Sequence, residues 1–305
     1  MICLIPYHHA KDLPYLTLLK ITKLAMTLPF VIMPTFLFST MFSTKIPFDE
    51  TDSKNLREYK YHAGSYTPLD TFLSKLADKL INWIPKCLSP NAITLIGLSC
   101  NLFGVVLLHL FGDEDSWRAR LSFFISASMA LFYMFMDFLD GKQARRLGCS
   151  SPLGQLFDHG CDSLNIHLVL YAVIKSLGVT DMRHIALLFG VCGFMFASFQ
   201  IIEYYDDVLM FGLSFFGVSE AEVISVLISL ITSIFGVSFW KAPIPFYPSI
   251  RMCDCFVYVF IIGIGGCVFL KNVKYLFKGT TITEENRGRK TIGYMDHVKR
   301  YVPLM

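Results

Sequence analysis

Residues 137–162 read DFLDGKQARRLGCSSPLGQLFDHGCD and carry four aspartates, Asp137, Asp140, Asp158 and Asp162. The first two are three residues apart and the last two are four apart, so on helices each pair projects from one face. Between the pairs, Gly148, Ser150, Ser151 and Pro152 make a turn. Two antiparallel helices joined there would aim four carboxylates into a common space. Such a group repels itself unless cations sit in it. Hard divalent cations take oxygen ligands, so this cage suits one or two Mg²⁺ or Mn²⁺ ions. Small residues surround the acids: Gly141 and Ala144 follow Asp140, and Gly154 precedes Asp158 by one turn. They let a backbone come close to another helix or a flat ligand. Arg145 adds a planar fork for phosphate oxygens. Metal, close-approach surface and phosphate clamp point to a nucleotide diphosphate. The plainer alternative is a solvated loop in which Lys142, Arg145 and Arg146 neutralise the acids.

These acids stand in an apolar chain. It is 54% hydrophobic and 17% charged over 305 residues, with a mean hydropathy of +0.51, whereas soluble domains carry about 25% charged residues. A polytopic membrane protein follows. The formal net charge of +3, with no basic stripe interleaved with aromatics, argues against a nucleic-acid partner. Nine cysteines without a CxxC pair support neither a disulfide framework nor a zinc site.

Apolar windows long enough to cross a bilayer fall at about 92–111, 121–139, 163–179, 186–204, 221–239 and 254–272. The second and third run into the acidic stretch, which places the aspartates at the end of one helix and the start of the next. A further run, 24–43, contains Pro29 and Pro34. A seventh span, a signal-like anchor and an upstream extension of a chain starting at Met41 all fit it. Residues 1–56 are therefore set apart as a leader, and 57–90 as a second leader with its own helix. In the latter, Thr67 caps, Pro68 opens the helix, and Asp70 sits in the first turn. Leu69, Phe72, Leu73, Leu76, Leu80 and Trp83 then follow helical spacing, opposite Lys75, Asp78 and Lys79. This predicts an amphipathic helix lying in the membrane surface. Lys75, Lys79 and Lys86, then Lys142, Arg145 and Arg146, then the basic tail 276–305 all fall on one side if six spans alternate. The positive-inside rule makes that side cytosolic, so the aspartates face the cytosol.

Asp140-Gly141, two residues, Ala144-Arg145, eight residues, Gly154, three residues, Asp158, three residues and Asp162 together match without a gap the signature of the CDP-alcohol phosphotransferases. Asp137 fits its extended form. The flanking "DGKQARR", "SSPLG" and "LFDHGCDS" resemble the eukaryotic choline and ethanolamine branch, as do "YKYHAGSYTPLD" and "SPNAITLIGL"; "EYY" at 203–205 and Trp240 fit more loosely. The resemblance covers roughly residues 57–275.

The resemblance implies an all-α polytopic membrane protein, a six-helix catalytic core over 91–275 preceded by the interfacial helix, usually a homodimer. It implies that Asp137, Asp140, Asp158 and Asp162 bind two divalent metals, which hold the diphosphate of CDP-choline or CDP-ethanolamine. Gly141, Ala144, Arg145 and Gly154 would line the CDP site, with Asn91 and Thr94 facing the same cavity. Diacylglycerol, reaching the site from the membrane lipid, would be the acceptor, giving phosphatidylcholine or phosphatidylethanolamine and CMP. The implied location is the endoplasmic reticulum or Golgi, with the site facing the cytosol. Two residues compete as the base: His159, beside Asp158 and three residues before Asp162, and Asp162 itself. Imidazole titrates near working pH, which favours His159.

Two departures stand out. Relatives often carry Glu at the position of Gln155, one turn before His159. An amide orients an imidazole but supplies no charge, so Gln155→Glu is expected to raise turnover in a transfer assay; unchanged or lower turnover would remove Gln155 from the base. Eukaryotic members also typically have ten spans, and six precede Met305, as in a truncated form, an isoform or a short member. Three other readings compete: a cation transporter, which predicts acids scattered over several spans; a regulatory paralogue that binds nucleotide without turnover; and a transferase using CDP-diacylglycerol.

Overall fold

The computed structural model describes residues 66–113, 116–206, 212–213, 216–244, 247–267 and 269–270. The apolar run 24–43, the leader 1–56, the basic tail 276–305 and the "EYY" side chains lie outside the described residues.

The protein is an all-α polytopic membrane protein. Helix α1 (Pro68–Leu80) precedes α2 (Pro90–Phe111), α3 (Trp117–Leu147), α4 (Pro152–Leu177), α5 (Met182–Asp206) and α6 (Val218–Phe235). A short α7 (Ser238–Lys241) leads to α8 (Met252–Tyr258), which continues as a π-helical turn over Val259–Gly265. Among the described residues, four segments are long and apolar enough to cross a membrane: α2, α3, Met182–Phe199 of α5, and α6. Helix α4 carries Asp158 and Asp162 in its first half, which lowers its hydropathy, yet its 26 residues give roughly 39 Å of helix.

The starts and stops follow local chemistry. Ser89, Ser116 and Ser151 cap α2, α3 and α4 by accepting backbone N–H groups, the role a hydroxyl plays at an N-cap. Gly148 and Gly178 end α3 and α4 with φ of 64° and 66°, a left-handed conformation that suits glycine. At the head of α5, Asp181 accepts the Arg183 backbone N–H at 2.9 Å; hydrogen bonds from Arg183 hold that exposed carboxyl down at about 2. The fifth window, 221–239, proves shorter at its end. Helix α6 stops at Phe235 because Gly236 turns the chain at φ 80°. Among the described residues two small antiparallel ribbons also occur, β1 (Gly212–Leu213) with β2 (Phe216–Gly217) and β3 (Pro243–Ile244) with β4 (Tyr247–Arg251).

Helices α2 and α3 meet over glycines. A Cβ on Gly97 would stand 2.8 Å from Met136 Cβ, and one on Gly104 would stand 3.0 Å from Ser126 Cα. Both helices can therefore approach only because those positions lack side chains. Helix α1 bears the predicted capping box: Asp70 N–H donates to Thr67 Oγ1 at 3.1 Å, and Thr67 N–H to Asp70 Oδ2 at 2.9 Å. Leu73 and Ala77 face inward, while Phe72 and Trp83 are exposed, Trp83 by 85%. That division is what an apolar membrane surface stabilises.

Polar side chains strap α1 and its following loop to the end of α3. Lys142 Nζ donates to Ser74 Oγ at 2.9 Å and pairs with Asp78 at 2.6 Å. Arg146 donates to the Ile81 and Ile84 carbonyls at 2.8 and 3.0 Å. The fully buried Gln143 Nε2 donates to the carbonyls of Pro85 and Leu88 at 3.0 and 2.9 Å. Gln143→Ala would strand the Leu88 carbonyl, whereas that of Pro85 still accepts the Leu88 N–H at 3.1 Å. We expect a loss of about 1–3 kcal/mol, from the desolvation of an unsatisfied backbone group, read as a lower thermal midpoint in detergent micelles.

Candidate functional site

The signature segment forms a helical hairpin. Its first acids lie on α3, its turn spans residues 148–151, and its last acids lie on α4. The turn sits where the Gly-Ser-Pro cluster predicts. Both helices continue past the acids toward the turn. Seven residues of α3 follow Asp140, and six of α4 precede Asp158, so the acids are about 10 Å below the hairpin tip.

Carboxylate oxygens of Asp137, Asp158 and Asp162 lie within 4.8 Å of one another. Asp140 stands beside this trio rather than in it. It is buried, accepts the Thr94 hydroxyl from α2, and comes within hydrogen-bonding reach of Asp158. Asp158 Oδ1 is buried without a hydrogen-bond partner. Among the described residues no lysine or arginine pairs with any of the four. The solvated-loop alternative required Lys142, Arg145 and Arg146; Lys142 and Arg146 are engaged on α1 and the loop after it, and Arg145 makes no ion pair with the acids. A compact set of hard oxygen donors, one of them orphaned, with no lysine or arginine paired to it among the described residues, fits a divalent cation.

The other expected residues cluster on the turn side of the acids. Arg145 folds back over Gly141: a Cβ there would meet the Arg145 guanidinium at 3.6 Å. At the head of α4, a Cβ on Gly154 would lie 3.8 Å from Asn91 Oδ1 and 3.4 Å from Ser151 Oγ. Asn91 and Gly154 thus face each other across α2 and α4, one turn from where Thr94 holds Asp140. Ala144 is half-buried on the same stretch of α3. His159 and Gln155 are half-buried on α4, and His159 lies within electrostatic reach of Asp162.

Trp240 is elsewhere. It is 4% exposed among Leu177, Ile228 and Cys253, its indole N–H donates to Thr232 Oγ1 at 2.7 Å, and it packs edge-on against Phe256. It holds α7 to α4 and α6, so it is not an aromatic wall for a quaternary ammonium.

Four side chains outside the signature also join the site. The buried Tyr133, one turn before Asp137, donates its hydroxyl to Asp162 Oδ1 at 2.8 Å. Asn165 Nδ2, on α4, donates to Glu222 Oε1 on α6 at 3.0 Å. Asn101 Nδ2, on α2, donates to Asn165 Oδ1 at 2.6 Å. The one sequence signal for these was the presence of amides and an acid inside apolar runs, where polar groups require partners.

Comparison with known proteins agrees with the signature. The family model described as CDP-alcohol phosphatidyltransferase matches residues 87–247. Cholinephosphotransferase 1 of Rattus norvegicus is 34% identical over 203 residues, 65% of this chain and 50% of that protein. Cholinephosphotransferase 1 of Danio rerio is 32% identical over 201 residues, 65% and 52% respectively. An uncharacterized CDP-alcohol phosphatidyltransferase class-I family protein 2 of Dictyostelium discoideum is 34% identical over 190 residues, 61% and 46%. The chain spans about half the length of the curated relatives it matches.

Proposed function

The chain belongs to the CDP-alcohol phosphatidyltransferase family, and on that premise we propose that it transfers phosphocholine or phosphoethanolamine from a CDP-alcohol to diacylglycerol. The observation that carries this reading is the trio of carboxylates within 4.8 Å, paired with no lysine or arginine among the described residues, on a hairpin with the family's spacing. The names of the relatives, cholinephosphotransferase 1, favour choline as the alcohol.

In this reading Asp137, Asp158 and Asp162 hold divalent cations, Mg²⁺ or Mn²⁺, with Asp140 completing the set from its place on Thr94. Such cations would supply charge neutralisation at a diphosphate. Gly141 and Gly154 leave room for the nucleotide, with Ala144 and Asn91 lining it. Arg145 offers its guanidinium to phosphate oxygens. The diacylglycerol hydroxyl enters laterally from the bilayer and attacks the phosphorus bearing the alcohol. A phosphorus–oxygen bond forms to the lipid, the bond to CMP breaks, and the hydroxyl proton passes to a base.

His159 is that base. Asp162 already accepts the Tyr133 hydroxyl on one oxygen and contributes to the cation trio with its carboxylate, which leaves it poorly disposed to take a further proton. The reading extends to a homodimer in the endoplasmic reticulum or Golgi membrane, with the hairpin tip in the cytosol. It also keeps the core at 91–275, with 57–90 as its leader and interfacial helix.

The test is a transfer assay in detergent–lipid micelles. Labelled CDP-choline and CDP-ethanolamine compete for diacylglycerol, with Mg²⁺, Mn²⁺ or chelator present. Metal-dependent phospholipid formation is the expected result, and the product ratio names the alcohol. Metal-dependent CDP binding without product would favour the regulatory paralogue, and neither product nor binding would remove the family's chemistry from this chain. A cation transporter fits less well, because the four signature acids gather on one hairpin, with Glu222 of α6 in their electrostatic reach, rather than along a path through several spans.

A further inference from the structure

Glu222 is a fifth acid at the site, outside the signature and on a different helix. It is the fifth residue of α6, half-buried, and within electrostatic reach of Asp137 and Asp162. Its neighbour Glu220 has a local task, accepting the Gly217 backbone N–H at 2.8 Å as the helix cap; Glu222 has none of that kind. Instead it is held from the side. Asn165 donates to it at 3.0 Å, and Asn101, 1% exposed, donates to Asn165 at 2.6 Å. The second bond fixes the Asn165 amide with its NH₂ toward Glu222 rather than its oxygen. Two buried amides on two helices are thus arranged to keep one carboxylate in place.

Its position along the hairpin gives it a distinct neighbour. Asn165 lies three residues beyond Asp162, about 4.5 Å further from the turn. Gly141, Ala144, Arg145 and Gly154 lie on the opposite, turn side of the aspartates. A nucleotide with its base among those residues and its diphosphate at the aspartates extends its alcohol toward Asn165 and Glu222. Among the described residues no lysine or arginine pairs with Glu222. A carboxylate held beside other carboxylates at the edge of hydrocarbon calls for a cation, and the head of choline or ethanolamine is one.

We propose that Glu222, oriented by Asn165 and Asn101, is the counter-charge that selects CDP-alcohols with a cationic head over neutral ones. The inference rests on the function proposed above and names the part of the site that reads the alcohol.

The experiment compares binding of CDP-choline with its neutral isostere, CDP-3,3-dimethylbutanol, in which a tert-butyl group replaces the trimethylammonium. The full chain is used in micelles with Mn²⁺, and CMP affinity reports an intact nucleotide site. The parent is expected to favour CDP-choline by about tenfold or more, and Glu222→Gln to bring the two within about twofold, as loss of a desolvated charge pair requires. CMP affinity stays unchanged. Glu222→Asp keeps part of the preference, and Asn165→Ala, which leaves the carboxylate unheld, lowers it. A Glu222→Gln protein that retains the parent's preference overturns the inference. So does one that loses both nucleotides alike, the mark of a metal-site or folding role. Transfer is measured in parallel: a parent that shows the preference but forms no phospholipid removes the proposed reaction while supporting the counter-charge.

Discussion

Asp158→Asn should abolish metal-dependent transfer, by about 10³-fold or more, and should also make the metal-free protein more stable. The two effects have one cause. Asp137, Asp158 and Asp162 place like-charged oxygens within 4.8 Å, with Asp140 alongside and Asp158 Oδ1 buried and unpartnered. At such distances the repulsion outside bulk water amounts to several kcal/mol per pair before relaxation, at an effective dielectric of about 20. An amide at 158 removes that repulsion and donates to the carboxylates it faces. Thermal unfolding in micelles with chelator present should then shift upward, by about 2–4 °C for each kcal/mol relieved. Added Mn²⁺ should raise the midpoint of the parent and leave that of the variant unmoved. A variant whose metal-free midpoint falls would mean that Asp158 is held by interactions other than a cation. The test needs no turnover, so it separates cation binding from the reaction assigned to it.

His159→Ala is expected to lower turnover by about 10²–10⁴-fold, the usual contribution of a positioned base, while CDP-alcohol and Mn²⁺ binding persist. Asp162→Asn should lose both binding and turnover, because Asp162 sits in the carboxylate trio and is the acceptor for Tyr133. Equilibrium binding together with single-turnover phospholipid formation distinguishes the two. A His159→Ala protein that turns over like its parent would return the role of base to Asp162. The structure sharpens this expectation beyond spacing alone. Both residues lie on α4, but only Asp162 has an oxygen already committed to a buried phenol.

Much of the site was legible because its information is local. Acids at three- and four-residue intervals, separated by a Gly-Ser-Pro turn, can form little other than a hairpin with facing carboxylates, and they do. The capping box of α1 was legible for the same reason: Thr67 and Asp70 are three residues apart and serve each other. Asp140 was read as equal to the other three, yet it is drawn to Thr94, 46 residues away on α2. Tyr133 and Asn165 escaped notice because their partners lie on other turns or other helices, and no periodicity records such pairings. Lys142 and Arg146, which the solvated-loop alternative would have set against the neighbouring acids, do not pair with them. Their partners are on α1 and its following loop, more than 60 residues earlier. Trp240, a looser part of the resemblance, proved to be a brace between helices. The 221–239 window overran because hydropathy averages across Gly236, where the backbone reverses regardless of how apolar its neighbours are.

The overhang of α3 and α4 past their acids bears on a problem of phases. A nucleotide conjugate is confined to water and a diacylglycerol to oil, and neither partitions into the other's medium at a useful concentration. The carboxylates lie about 10 Å beneath the tip of a helical hairpin; under the proposed reaction, that depth would set the meeting point at the boundary itself. The proposed donor would descend along a polar rim without entering the oil, and the proposed acceptor would arrive sideways without leaving it. Product and by-product of that reaction would then separate by solubility alone, CMP upward and phospholipid outward. The boundary would thus withdraw each product along the route by which its precursor came.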